Sequence, residues 1–301
     1  MGDLEKFLGN EGIERLGHIN KTDTEAMEEE YTNEEVEYAC NEINKNSATA
    51  TDGCTARLLL EIKKINPELI MKCIRECILG RLEGSKLMER LLVFIPKKTE
   101  REDYKKFRPI ALMSQINKLA AHLVNNRLIG ALTRAGTFPS NMHAYLCNRS
   151  AHDLVRKIKD DIQYVMMVNR NKVEPMDAFI LNADVQGAFD HSSRNMIYAI
   201  LKRLGFGETF IQCVKNLHKN ITIRTCYNGK LKNDFKVNAG LGQGDPLSAT
   251  LYILLPLILV IRIENDNGIT AIDHKHKHIS TGRSFTIKRA KIGSFSDDSQ
   301  I

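Results

Sequence analysis

The sequence predicts a mixed α+β fold in which helices pack on a small antiparallel sheet. Three observations carry that expectation. Apolar residues recur at helical spacing over long stretches, notably 114–133 and 150–168. Between the helical stretches stand short strand-like runs, RLLVFIP (90–96), FRPIALM (107–113) and AFILNADV (178–185). Finally, ITIRTCYNG (221–229) runs into Asn228-Gly229, a favoured two-residue hairpin turn, and FKV (235–237) returns.

At 301 residues and 43% hydrophobic content the chain can bury a large core, as one large domain or two smaller ones. No internal repeat or low-complexity tract breaks it up. Residues 1–32 are acidic and read as a poorly ordered lead-in. Thr32 with Glu35 then makes a capping box for a helix over 33–45, which SATATDG (47–53) ends. Helices follow near 54–64 and 67–81, the second opened by Pro67 in its first turn. Two more are expected near 192–204 and 208–219. Pro246, inside GLGQGDPLS (240–248), starts a helix that continues into LYILLPLILVI (251–261). That apolar run is short for a membrane span and contains Pro256, so it reads as a buried helix and no membrane partner is expected. A polar His/Lys-rich loop over 264–282 and a last strand, SFTIKRAKIGSF (284–295), complete the succession.

The beginning of the sequence, MGDLEKFLGN, lacks the apolar stretch of a signal peptide, and Gly2 is not followed by the Ser or Thr that myristoylation needs. Seven cysteines, at 40, 54, 73, 77, 147, 213 and 226, form no paired metal-ligand spacing, and their odd number argues against a disulfide framework. An intracellular, reducing location is expected, in cytoplasm or nucleus. Cys73 and Cys77 lie on one helix face and read as core or near-core thiols. Net charge is +6, but residues 1–40 hold twelve Asp/Glu against three Lys/Arg, which leaves 25 acidic and 40 basic residues for the remainder. Such an excess suits a polyanion such as nucleic acid. On charge alone, a merely solvated basic surface fits as well.

Chemistry is suggested by three carboxylates. Asp184 ends an apolar strand and is followed by small residues in ADVQGAFD (183–190). An acid in that setting is costly unless it meets a cation or hydrogen-bond donors. Asp297 and Asp298 stand side by side in FSDD (295–298), where like charges repel unless a cation lies between them. Carboxylates on neighbouring strand ends are what a two-magnesium phosphoryl-transfer site requires. The run His274 to His278, alternating with lysine, reads as a solvated loop rather than a metal site.

In their order along the chain, these segments resemble the motifs of non-LTR (LINE-type) retrotransposon reverse transcriptases, over roughly residues 33 to 301. SATATDGCTARLL (47–59) resembles the family's segment ahead of the fingers, with Thr51 where Pro is usual. VFIPKK (93–98) and FRPIALMSQINKLAAHLVNNRL (107–128) resemble the fingers motifs, and HAYLCNRSAHDLV (143–155) the segment with a basic Gly-Arg-Ser-Thr run. ADVQGAFD, GLGQGDPLS and FSDD resemble the three palm motifs.

The resemblance implies a right-hand polymerase, with helical fingers over 33–170 and a palm over 171–301. It implies RNA-directed DNA polymerase activity, with an RNA template, a DNA primer and deoxynucleoside triphosphates as partners. Two Mg2+ ions, with Mn2+ as a substitute, would be held by Asp184, Asp297, Asp298 and the Val185 carbonyl. Arg108 and Lys97 would contact the triphosphate, and the N–H groups of Gly187 and Ala188 would reach phosphate oxygens. Phe189 would exclude a ribose 2′-hydroxyl. Gln243 would lie beside the nascent base pair, with Gly242 and Gly244 permitting close backbone approach. The sequence departs from the pattern at Phe295, where Tyr is usual, and at Ser299 and Gln300, where apolar residues are usual. A return strand and thumb belong after Asp298, so the expectation is a truncated or fragmentary copy, with a catalytically inactive nucleic-acid-binding relic as the alternative.

Overall fold

The protein is described from a computed structural model that covers residues 2–96, 107–170, 184–227, 230–266, 274–277, 284–287 and 292. Its elements in chain order begin with helices α1 (Gly2–Leu16), α2 (Lys21–Glu28), α3 (Asn33–Glu42), α4 (Ala56–Ile65) and α5 (Pro67–Ile78). Strands β1 (Arg90–Pro96) and β2 (Phe107–Met113) come next, then helices α6 (Gln115–Arg134), α7 (Ala151–Asn169), α8 (Arg194–Arg203) and α9 (Glu208–His218). Strands β3 (Ile221–Tyr227) and β4 (Lys230–Val237), helix α10 (Pro246–Glu264) and strands β5 (His274–Lys277) and β6 (Ser284–Ile287) follow. Two compact units interleave in sequence. The larger takes His18–Ala135 and Phe189–Tyr252; the smaller takes Met1–Gly17, Gly136–Ala188 and Ile253–Ile301.

The larger unit is organised around α6. Ile116, Leu119, Ala120, Ala121, Leu123, Val124, Leu128, Ala131 and Leu132 are all buried, so this helix is enclosed over much of its surface, as a central helix must be. Helices α2, α3, α4, α5 and α9 pack on it. Local signals place their ends. The Thr32 hydroxyl accepts from Glu35 N–H while the Glu35 carboxylate accepts from Thr32 N–H, which is the expected capping box at α3. Asn66 caps α5 and Pro67 occupies its first turn. Cys77 is fully buried in α5, and burial, ahead of Cys73 and Glu76, pushes its thiol up to about 12, so it is an inert core group.

Arg127 of α6 joins three of these helices. Its guanidinium pairs with both Glu35 oxygens at 2.7 and 2.8 Å, donates to the carbonyls of Ala26, Glu29 and Glu30, and lies 3.9 Å from the centre of the Tyr31 ring. The carbonyls at the C-terminal end of α2 therefore find a donor that the helix itself cannot supply.

The sheet of the larger unit has the order β2-β1-β3-β4. Strands β1 and β2 are antiparallel from Arg90↔Met113 to Pro96↔Phe107, and β3 and β4 are antiparallel with a register shift between Arg224 and Thr225. Between the two hairpins, Arg90–Leu92 pairs in parallel with Ile223–Thr225. The sheet is thus mixed and not wholly antiparallel, and the chain between β1 and β3, which runs through β2 and four helices, is long enough to bring a strand back in the same direction. Beyond Leu92 the first hairpin continues without β3, and Phe94 and Ile95 are exposed.

In the smaller unit, the expected lead-in is helical. Leu4, Leu8 and Leu16 of α1 are buried, and Gly9, at φ +68°, kinks the helix. The first residues of the larger unit are also ordered, with Asn20 capping α2 and Ile19 and Met27 buried. The Arg149 guanidinium gathers the carbonyls of Phe138, Pro139 and Met142, and the Ser150–Asp153 capping box then starts α7. None of the residues of α7 is buried; Val155, Ile158, Ile162 and Met166 are exposed. Helix α10 is long and apolar enough to cross a membrane, yet Leu251, Ile253, Leu254, Leu257, Val260 and Ile261 are buried within the protein. Residues His274–Lys277, expected in a loop, form β5 against β6.

Replacing Arg127 by Met tests the junction of α2, α3 and α6. Because Glu35 is partly exposed and stays hydrated, the expected loss is roughly 2–4 kcal/mol, below that for a fully buried pair. Urea denaturation of the variant measures it, and an unchanged midpoint would contradict the assignment.

Candidate active site

The loop between β4 and α10 has four anchors in the larger unit. At its start, Arg194 of α8 donates through Nε to the Gly240 carbonyl at 2.7 Å, and through its Nη atoms to the carbonyls of His218 and Ala239. Leu241 N–H donates to the Phe189 carbonyl at 2.8 Å, and Ala111 N–H of β2 donates to the Gln243 carbonyl at 3.0 Å. At its end, Asp245 pairs with Arg90 of β1 at 2.8 Å. The loop therefore covers an otherwise open backbone position on β2, the edge strand of the sheet.

Glycine is required here by space. Gly240 has φ +73°, and a Cβ there would lie 2.5 Å from the Asp190 carbonyl oxygen. A Cβ on Gly242 would meet the Arg90 guanidinium. Gly244, at φ +99°, lies against Ala111 and Ile110 of β2. Strand alternation places Arg108 on the same face of β2 as Ile110. Arg108 and Gln243 are both half-buried.

Phe189 is buried and stacks on Tyr252 of α10, with ring centroids 4.7 Å apart and planes inclined by 21°. The expected site residues Phe189, Gln243 and Gly244 are thus linked through one loop, which bonds to β2, the strand that also carries Arg108. Asp184 and Val185 are both exposed and precede the turn over 186–191, in which Gly187 has φ +63° and Ala188 is buried. Lys97, Asp297, Asp298 and most of the expected strand 178–185 lie outside the described residues. Among the described residues no group of three or more His, Cys, Asp or Glu side chains forms a metal site. The donors at Asp184 and Val185, an exposed carboxylate and a backbone carbonyl, are hard oxygen ligands and fit magnesium chemistry.

Four polar residues at the loop's base had no role in the sequence reading. Arg90 and Asp245 are 1% and 5% exposed, and the Asp245 Oδ1 also accepts from Leu247 N–H at 3.0 Å. The buried His218 has Nε2 3.5 Å from Asp245 and Nδ1 2.9 Å from the Val214 carbonyl. Arg194 completes the set. Burial favours a neutral Asp245, but Arg90, then His218 and the Leu247 N–H, hold its carboxyl below the ordinary range. Burial pushes the His218 imidazole down, and Arg90 adds to that, against the opposing pull of Asp245. One sequence signal was available: a charged residue opening an apolar strand, as Arg90 does, needs a buried partner.

Residues 95–287 match the family described as reverse transcriptase (RNA-dependent DNA polymerase), and the chain belongs to that family. Within it, the similarity is to proteins of mobile elements. The chain is 28% identical over 218 residues to the retrovirus-related Pol polyprotein from the type-2 retrotransposable element R2DM of Drosophila melanogaster, covering 71% of this chain and 19% of that protein. It is 25% identical to the transposon TX1 149 kDa protein of Xenopus laevis, over 57% of this chain and 13% of the relative. A probable RNA-directed DNA polymerase from transposon BS of Drosophila melanogaster is also 25% identical, over 56% of this chain and 18% of the relative. The chain thus spans under a fifth of the length of each of these curated relatives. These likenesses identify a reverse transcriptase domain of the non-LTR retrotransposon kind.

Two outcomes follow from the loop's chemistry. Gly240→Ala forces an L-residue into left-handed backbone against a carbonyl and should cost at least about 1–2 kcal/mol; chemical denaturation reads it. Burial depresses His122, His143 and His218 alike. Below the ordinary histidine value of about 6.5 the unfolded chain then binds protons that the folded chain refuses, so stability falls as pH drops through that region. The melting temperature should be lower at pH 5.5 than at pH 7.5, and His218→Gln should reduce the difference. A flat profile would contradict this.

Proposed function

We propose that the chain is the polymerase domain of a retrotransposon protein, adding deoxynucleotides to a DNA primer 3′-hydroxyl as an RNA template directs. The observation that carries this reading is the convergence of Phe189, Gln243 and Gly244 with the β2 strand that bears Arg108, all inside the residues matched by the family. In this reading residues 33–170 serve as fingers and 171–301 as palm.

The roles follow from the chemistry of each group. Arg108, with Lys97, binds the triphosphate, since an arginine fork stays charged and matches phosphate oxygens. The N–H groups of Gly187 and Ala188 are donors suited to phosphate oxygens. Phe189, held from behind by Tyr252, presents a ring that leaves no room for a 2′-hydroxyl, while Gln243 borders the new base pair. Asp184, Asp297 and Asp298 with the Val185 carbonyl would hold two magnesium ions, which when bound activate the primer hydroxyl and stabilise leaving pyrophosphate. The basic excess outside residues 1–40 favours a polyanionic template and primer.

Primer extension by the purified chain on a primed RNA template, with magnesium and deoxynucleotides, tests the proposal. The chain should extend the primer, and Asp184→Asn should abolish extension while leaving salt-dependent RNA binding and the melting temperature unchanged. Extension that persists in Asp184→Asn would overturn the metal role; RNA binding without extension would favour a non-catalytic binding protein.

A further inference from the structure

We infer that Arg90 and Asp245 are positioning residues: their ion pair sets the backbone of the Gly240–Gly244 loop and, through it, the placement of the Phe189 sugar screen. The part that concerns sugar selection rests on the function proposed above.

The pair is too costly to be explained by stability alone. Its side chains are 2% and 1% exposed. Withdrawing two such ions from water costs several kcal/mol each, and a well-packed apolar pair of similar volume commonly stabilises a fold as much or more. Moreover, Arg90 Nε is buried with no hydrogen-bond partner among the described residues, an arrangement that sacrifices stability. What the charges supply is direction. Both Asp245 oxygens are committed, Oδ2 to β1 through Arg90 and Oδ1 to the first turn of α10 through Leu247 N–H. The Arg90 guanidinium fills the space where Gly242 would otherwise carry a side chain, so the strand residue serves as the floor of the turn.

From that floor a short path leads to the gate. Leu241, next to Gly242, donates to the Phe189 carbonyl, and Gln243 on the other side accepts from β2. Arg194 secures the far end at Gly240 and Ala239. Between the two arginines the loop has one backbone path, while the Gln243 side chain stays half-buried. His218, Lys118 and Arg194 also face Asp245 electrostatically, as does His122 together with Glu42, so the Asp245 charge is felt by several basic groups. Removing it changes the loop's charge balance as well as one hydrogen bond.

The test compares the wild-type chain with Arg90→Met/Asp245→Leu, an apolar pair chosen to keep the fold, and with Arg90→Lys, which keeps the charge but loses the fork. Two readouts are taken with the melting temperature: amide exchange at Leu241 and Ala111, and the preference for deoxynucleotides over ribonucleotides in primer extension. Both variants should retain a cooperative melt while protection at both amides and the sugar preference fall about tenfold or more, mainly through a higher KM for the deoxynucleotide. Unchanged protection, or a sugar preference that stays at the wild-type value while the loop loosens, overturns the inference. If the wild-type chain extends no primer, the function proposal fails, and amide exchange alone still decides whether the pair positions the loop. Should the double variant fail to fold, Arg90→Lys gives the same decision.

Discussion

A carboxylate with almost no access to water must be given a cation and donors, and much of the larger unit is arranged to do that for Asp245. Arg90 comes from β1, the Leu247 N–H from the start of α10, and His218 from the end of α9. Meeting that one demand draws a strand and two helices to a common point. The glycines of the same loop then allow its backbone to approach β2 and the Asp190 carbonyl more closely than any side chain would permit. The loop's shape is therefore a consequence of charge burial and missing Cβ atoms acting together.

The support around that point comes from α6. It leads directly from β2, so the strand edge that receives Gln243 is continuous with the most buried helix of the larger unit. Arg127, farther along α6, ties the ends of α2 and α3 to the same helix. A loop that must hold a few side chains to within a fraction of an ångström gains from such backing, because its neighbours are themselves packed.

Much of the fold could be read from the sequence because many of its signals are local. The Thr32–Glu35 box, Pro67 at a first turn and the β3/β4 hairpin each depend on residues within a few positions of one another. The parallel pairing of β1 with β3 does not, since strand character says nothing about which distant strand is the partner. Helices α1 and α2 were obscured by acidic composition, although Leu4 and Leu8 lie one turn apart and Asn20 is a good cap. The site divides in the same way. Phe189, Gln243 and Arg108 stand in recognisable segments, whereas Arg90, Arg194 and His218 matter only through partners far away in the chain.

Asp184 and Asp245 show why residue type is not enough to assign chemistry. Both are aspartates beside small residues, and both lie in segments that resemble palm motifs. Asp245 is 5% exposed, and its two oxygens are used by Arg90 and Leu247, so no ligand could claim them without dismantling the loop. Asp184 is exposed, which is the setting that the proposed metal role requires. A buried acid with its donors already in place serves the architecture, whereas the acid proposed as a metal ligand is one that folding leaves exposed. The division of labour between the two is set by the neighbours each one meets after folding.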